Sequence, residues 1–156
     1  MKKLMLMIPM AFAVAAAQVP CSLDGLRGTY AVYESGSMTV QLPTGPSTMT
    51  GGVVGVLSIG YDGRIGGFAS VSGNGNPIEF EGAGAVQINP DCTGKLTLKW
   101  RIKGTGAWIL PETDKFVYDQ EGRTIYLIAI DMGPGVTSTY QGTFKKISTV
   151  PNSATW

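Results

Sequence analysis

Glu34 and Asp131 are the carboxylates best placed for chemistry, because each ends an apolar, strand-like stretch and would sit at the mouth of a barrel. There a general acid or base needs only an apolar wall to tune it; ordinary solvation of a strand end is the competing reading. Glu79 and Glu81 lie two apart on one strand face. Paired carboxylates do acid–base work when their surroundings separate their pKa values, but opposite Lys99 and Arg101 they read more simply as cross-strand charge pairs. The chain has no histidine. That excludes Ser-His-Asp and Cys-His catalysis and removes the commonest metal ligand, so neither a metal site nor a cofactor is expected.

The only cysteines are Cys21 and Cys92. With none left over, the simplest reading is one disulfide closing a loop of about 70 residues. The alternative, a lipidated Cys21, is disfavoured because Gln18-Val19-Pro20 lacks the small residues of a lipoprotein cleavage site. A disulfide fits the start of the chain: Met1-Lys2-Lys3, an apolar run over 4–14, then Ala15-Ala16-Ala17. This pattern predicts a signal peptide over 1–17, cut near Ala17, and a secreted or periplasmic domain over 18–156. The apolar run is too short for a membrane-spanning helix.

Of twelve basic and eleven acidic residues, Lys2 and Lys3 fall in the signal segment, leaving ten against eleven. Near-neutrality without a basic run argues against nucleic acid or anionic lipid as partner. Lys99-Trp100-Arg101 reads as a strand with one wet and one apolar face. Trp156 resembles the aromatic ending of outer-membrane barrels, but the face Lys95, Thr97, Lys99, Arg101, Lys103 is unsuited to lipid, so no integral membrane association is expected.

What must position these residues is a series of strands. Periodicity and turn signals place strands at 28–35, 37–42, 53–61, 64–72, 78–89, 95–103, 115–119, 123–131 and 136–147. A polar Gly/Pro-rich loop is expected over 43–52, a looser stretch over 104–114, and an irregular tail over 148–156. Segment 95–103 is the cleanest alternation, with Leu96, Leu98, Trp100 and Ile102 on one face; segment 123–131 is apolar on both. Eight or nine strands at hairpin spacing without crossover helices predict an all-β fold, a single antiparallel up-and-down β-barrel of about eight strands with its core at 23–147. A two-sheet sandwich is the alternative. The expected interior is Tyr30, Val32, Leu57, Ile59, Val71, Ile78, Phe80, Val86, Leu96, Leu98, Trp100 and Ile102, in which Tyr30, Leu57, Phe80, Leu98 and Trp100 would contact a ligand. Gly55, Gly67, Ala69, Gly82 and Gly84 on that face favour unfilled space.

Leu26-Arg27-Gly28-Thr29-Tyr30, Gly55-Val56-Leu57-Ser58-Ile59 with Tyr61-Asp62-Gly63-Arg64-Ile65, and Ile88-Asn89-Pro90-Asp91-Cys92-Thr93-Gly94-Lys95-Leu96 resemble the repeated elements of small secreted bacterial proteins of the allene oxide cyclase barrel-like, calycin-shaped group. The resemblance spans 23–147 and implies a closed barrel. The plant cyclases of that group bind an unsaturated fatty-acid epoxide inside the barrel and close a ring with few catalytic residues. Three functions are therefore expected: binding of a small hydrophobic molecule in the interior, a cofactor-free isomerase or cyclase in the same pocket, or a structural or interaction domain with a filled barrel.

Overall fold

The computed structural model describes residues 20–151 apart from 74, 109 and 122. The expected signal segment and Trp156 lie outside the described residues. Among the described residues one short helix, α1 (Leu23–Leu26), precedes nine strands: β1 (Gly28–Leu42), β2 (Gly45–Ile59), β3 (Arg64–Gly73), β4 (Asn76–Ile88), β5 (Thr93–Ile102), β6 (Leu110–Asp119), β7 (Thr124–Asp131), β8 (Val136–Ser138) and β9 (Gln141–Ser148). Strands β1 to β7 pair antiparallel in chain order, β7 pairs with β9, and β9 pairs with β1, so eight strands close into an up-and-down barrel. Closure pairs each of those eight on both sides within the barrel, and the β1–β2 extension beyond it keeps an edge. The ninth, β8, pairs with the far half of β1 at Met38, Thr39 and Val40.

Several boundaries differ from the sequence reading. Segments 28–35 and 37–42 are one strand, and the expected loop at 43–52 is mostly the first half of β2. The ladder runs without a break from Gly28↔Ile59 to Leu42↔Gly45, and Thr39 and Thr48 share a hydroxyl hydrogen bond of 2.8 Å across it. Backbone pairing therefore overrides the loop-like composition. Pro46 is tolerated because β3 pairs with β2 only from Gly51 onward, which leaves that stretch an edge. Gly36, inside β1, is a close-approach position: a Cβ there would lie 2.6 Å from the Tyr140 Cα. Segment 136–147 is broken into β8 and β9 at Thr139 and Tyr140, and the looser stretch ends in a strand from Leu110.

One end of the barrel is plugged. Helix α1 lies across it with Leu26 fully buried, and its Gly25 and Leu26 carbonyls accept hydrogen bonds from the Tyr118 and Tyr30 hydroxyls respectively. The Cys21–Cys92 disulfide, with a Cα–Cα distance of 5.0 Å, ties the plug to the β4–β5 turn. Disulfides persist in extracellular or periplasmic surroundings. Beside the plug Tyr30, Ile59, Ile65, Leu96, Tyr118, Ile125 and Phe144 are all nearly or fully buried and fill this half. Glycines on the inner wall do not leave space here, contrary to expectation. A Cβ on Gly82 would strike the Trp100 ring at 2.5 Å, and one on Gly67 would meet Leu57 at 2.8 Å, so large side chains already occupy those places.

A cavity floored by carboxyl groups

The opposite half of the barrel is hollow. A cavity of about 380 Å³ is walled by Met38, Met49, Val53, Ala69, Val71, Ile78, Phe80, Trp100, Met132 and Tyr140, with Glu34 and Glu112 also reaching it. Strand alternation explains the depth at which it stops. Glu34, Val53, Ala69, Phe80, Trp100 and Glu112 are the deepest lining residues on β1 to β6; two residues further along each strand toward the plug lie Val32, Gly55, Gly67, Gly82, Leu98 and Asp114. The cavity floor is thus the boundary between a packed layer and an open one.

Two carboxyl groups, Glu34 and Glu112, form this floor, and a third, Asp114, lies in the packed layer directly beneath it. Glu34 comes from β1, opposite Val53 on β2 and Gly142 on β9; a Cβ on Gly142 would lie 2.4 Å from the Glu34 Cγ, so glycine there makes room for the acid. Glu112 and Asp114 come from β6, opposite Leu98 and Leu96 of β5. A bulge follows on the other side, where Thr113 faces Asp131 and Asp114 faces Ala129, leaving Ile130 as the extra residue. The Trp100 indole N–H donates to Glu112. Asp114 is fully buried and neither oxygen has a hydrogen-bond partner among the described residues. Glu34 is 5% exposed, and no hydrogen bond among the described residues reaches its carboxyl.

Burial raises all three carboxyls, and repulsion from neighbouring acids adds to it for Glu34 and Asp114. Burial, then the charge of Glu112, pushes Glu34 up to about 8. Burial, then Glu112 and Glu34, pushes Asp114 up to about 9. Glu112 is raised by burial and held back by the Trp100 hydrogen bond. Tyr140, at the cavity wall, is raised by burial and by the two glutamates. At neutral pH Glu34 therefore presents a protonated carboxyl to the cavity, which donates as well as accepts hydrogen bonds. Among the described residues no group of His, Cys, Asp and Glu is arranged to hold a metal ion.

The expected site residues divide between the two halves. Phe80 and Trp100 line the cavity, whereas Tyr30, Leu57 and Leu98 are buried in the packed layer beneath it. Ile78 lines the rim and is 46% exposed; Ile102, beyond the last β5–β6 pair at Trp100↔Leu110, is 39% exposed and leaves the wall altogether. Glu34 is at the floor, but Asp131 is exposed on β7 and accepts a hydrogen bond from the Gly133 N–H at 2.8 Å. Glu81 pairs with Arg101 at 2.7 Å on the outer face, as cross-strand register dictates. Glu112, Asp114 and Tyr140 were missed. Their signal was present for the first two, because Glu112, Asp114, Phe116 and Tyr118 share one parity, and the last two are large and aromatic.

A second depression, of about 1010 Å³, is an open saddle on the outer wall, bounded by Tyr33, Lys95, Lys115, Val117, Tyr126 and Ile128. It belongs to the outward face of β7, where Tyr126, Ile128 and Ile130 are about half exposed. No family model matches the chain, and no curated protein sequence matches it.

Proposed function

We propose that this chain is a secreted barrel, exported by its 1–17 segment, that binds a small hydrophobic molecule in the cavity of the open half. The observation that carries this reading is the cavity itself, about 380 Å³ of apolar wall closed below by a packed layer. Pockets for small molecules have this size and this composition, many apolar side chains around a few polar groups. The test uses residues 18–156, refolded with the disulfide formed, and the neutral apolar fluorophore N-phenyl-1-naphthylamine. Saturable, one-to-one enhancement of its emission is expected, and Val71→Trp, which fills the cavity from β3, should abolish it while leaving the far-ultraviolet circular dichroism unchanged. No enhancement in the wild type, or equal enhancement in a folded Val71→Trp protein, would refute the reading.

A second reading is a cofactor-free isomerase or cyclase of the type implied by the allene oxide cyclase-like resemblance. Glu34 favours it: a protonated acid without a hydrogen-bond partner among the described residues, at the floor of an apolar cavity, is placed to protonate a bound epoxide or carbonyl oxygen. Turnover of an unsaturated fatty-acid epoxide that is lost in Glu34→Gln would support it. Binding of that epoxide without turnover would leave only the carrier.

A further inference from the structure

We propose that the cavity selects an organic ammonium ion, a primary or quaternary amine head on a small apolar body, with the head held between Glu34 and Glu112. This rests on the ligand-binding reading above and adds the chemistry of the ligand's polar end.

Three features point to a cation. First, the groups facing the floor are of one sign. Among the described residues the titratable groups there are Glu34 from β1, Glu112 from β6 with Asp114 one layer beneath it, and Tyr140 from the β8–β9 junction, while the neighbours supplied by β2, β3, β4, β5 and β7 are Val53, Ala69, Phe80, Trp100 and Ala129, which do not titrate. Among the described residues Lys146 is the one partly buried lysine, and it is at the plugged end, where it donates to the Gly25 carbonyl. Second, Glu34 is buried, faces the cavity and has no hydrogen-bond partner among the described residues, so a polar atom of the ligand is what would complete it. Third, the walls directly around the acids are the aromatic rings of Phe80, Trp100 and Tyr140, and ring faces attract ammonium groups, most strongly when desolvated.

The other head groups fit less well. A carbonyl or hydroxyl is satisfied by hydrogen bonds to one or two neutral carboxyls and gains nothing from their ionisation. A carboxylate ligand would add negative charge to a floor whose own acids already repel one another. An ammonium ion pairs with the one carboxyl that ionises on its entry, at short range and low dielectric, while the neutral acid beside it offers a carbonyl oxygen to the positive charge.

The proton balance follows. When the ammonium enters, one carboxyl at the floor gives its proton to solvent, and the carboxylate formed pairs with the cation, so the charge enclosed by the barrel does not change. Binding of an amine should therefore release a proton below the pKa of Glu34, and its affinity should rise between pH 6 and pH 8. A neutral ligand should show no such trend.

The experiment compares n-octylammonium, 1-octanol and octanoate by titration calorimetry at pH 7, in two buffers of different ionisation enthalpy. The expected result is that octylammonium binds at least tenfold tighter than octanol, octanoate binds most weakly, and only octylammonium shows buffer-dependent heat. In Glu34→Gln and Glu112→Gln, near-isosteric changes that remove buried acids without emptying the site, the preference for octylammonium over octanol should fall to less than threefold, with octanol affinity retained. If octanol or octanoate binds as well as octylammonium to the wild type, or if the preference survives in both variants, the ammonium assignment is wrong and the apolar pocket stands. If none of the three binds, both fall together.

Discussion

Replacing Asp114 by Asn should stabilise the protein at pH 7 and do nothing at pH 4. In the unfolded chain an aspartate ionises near 3.8, whereas in the barrel Asp114 holds its proton up to about 9. Folding at pH 7 must therefore load a proton onto a group that is otherwise ionised, across about three pH units at roughly 1.4 kcal/mol each. The upper bound on the cost is about 4 kcal/mol, and because Glu34 and Glu112 share the same field a gain of about 2–4 kcal/mol is expected for Asn. The unpaired buried polar atoms are common to the protonated acid and the amide, so their desolvation nearly cancels. The sign with pH is set by a raised folded-state pKa. Below about pH 4 both states are protonated and the contribution is fully present; it is lost as pH climbs through 9, so wild-type stability should fall across that window. Urea denaturation of both proteins at pH 4, 7 and 9, with the disulfide intact, measures this. Melting temperatures at pH 7 should differ by roughly 10 °C. A difference between the two proteins that is the same at pH 4 and pH 7 would show that Asp114 keeps an ordinary pKa in the folded state, and an Asn variant destabilised more at pH 7 than at pH 4 would show that Asp114 is ionised and partnered there.

Other consequences can be checked separately. Gly82→Ala pushes a methyl into the Trp100 ring, at a contact of 2.5 Å before relaxation; a loss of about 1–3 kcal/mol is expected, with a shift in Trp100 emission once Trp108 and Trp156 are replaced by Phe. Trp100→Ala should cost less than the roughly 3–5 kcal/mol of a packed-core tryptophan, because one side of the ring already faces the cavity, and denaturant midpoints report it. Reducing the Cys21–Cys92 disulfide, which closes a separation of 71 residues, should cost about 4 kcal/mol in the chain-entropy account. Urea titrations with and without reductant measure that loss, and it should be accompanied by faster amide exchange at Leu26 as the plug loosens.

Hairpin chemistry made the barrel legible in advance. Asp62-Gly63 is a tight turn with Gly63 at φ 76°, and segment 95–103 alternates so strictly that the inward positions of Leu96, Leu98 and Trp100 followed from parity alone. The cysteine pair was likewise readable from its count. The carboxyl floor was hidden by the same logic that exposed the rest. A strand is recognised by apolar residues on its inner face, and β6 carries Glu112 and Asp114 there, so Pro111 to Asp114 read as a loose, polar stretch. Glu34 could be placed at the end of an apolar run, but sequence cannot say that β1 continues eight residues past it, which moves that acid from a strand end to mid-barrel. The division of the interior into a packed and a hollow half was also undecidable locally. It depends on α1 crossing one end, on the Trp100 ring lying over Gly82, and on which rows of side chains from eight strands fall at the same height. Parity is a property of one strand and is written in the sequence, whereas height in a barrel depends on the stagger between strands, which only closure fixes.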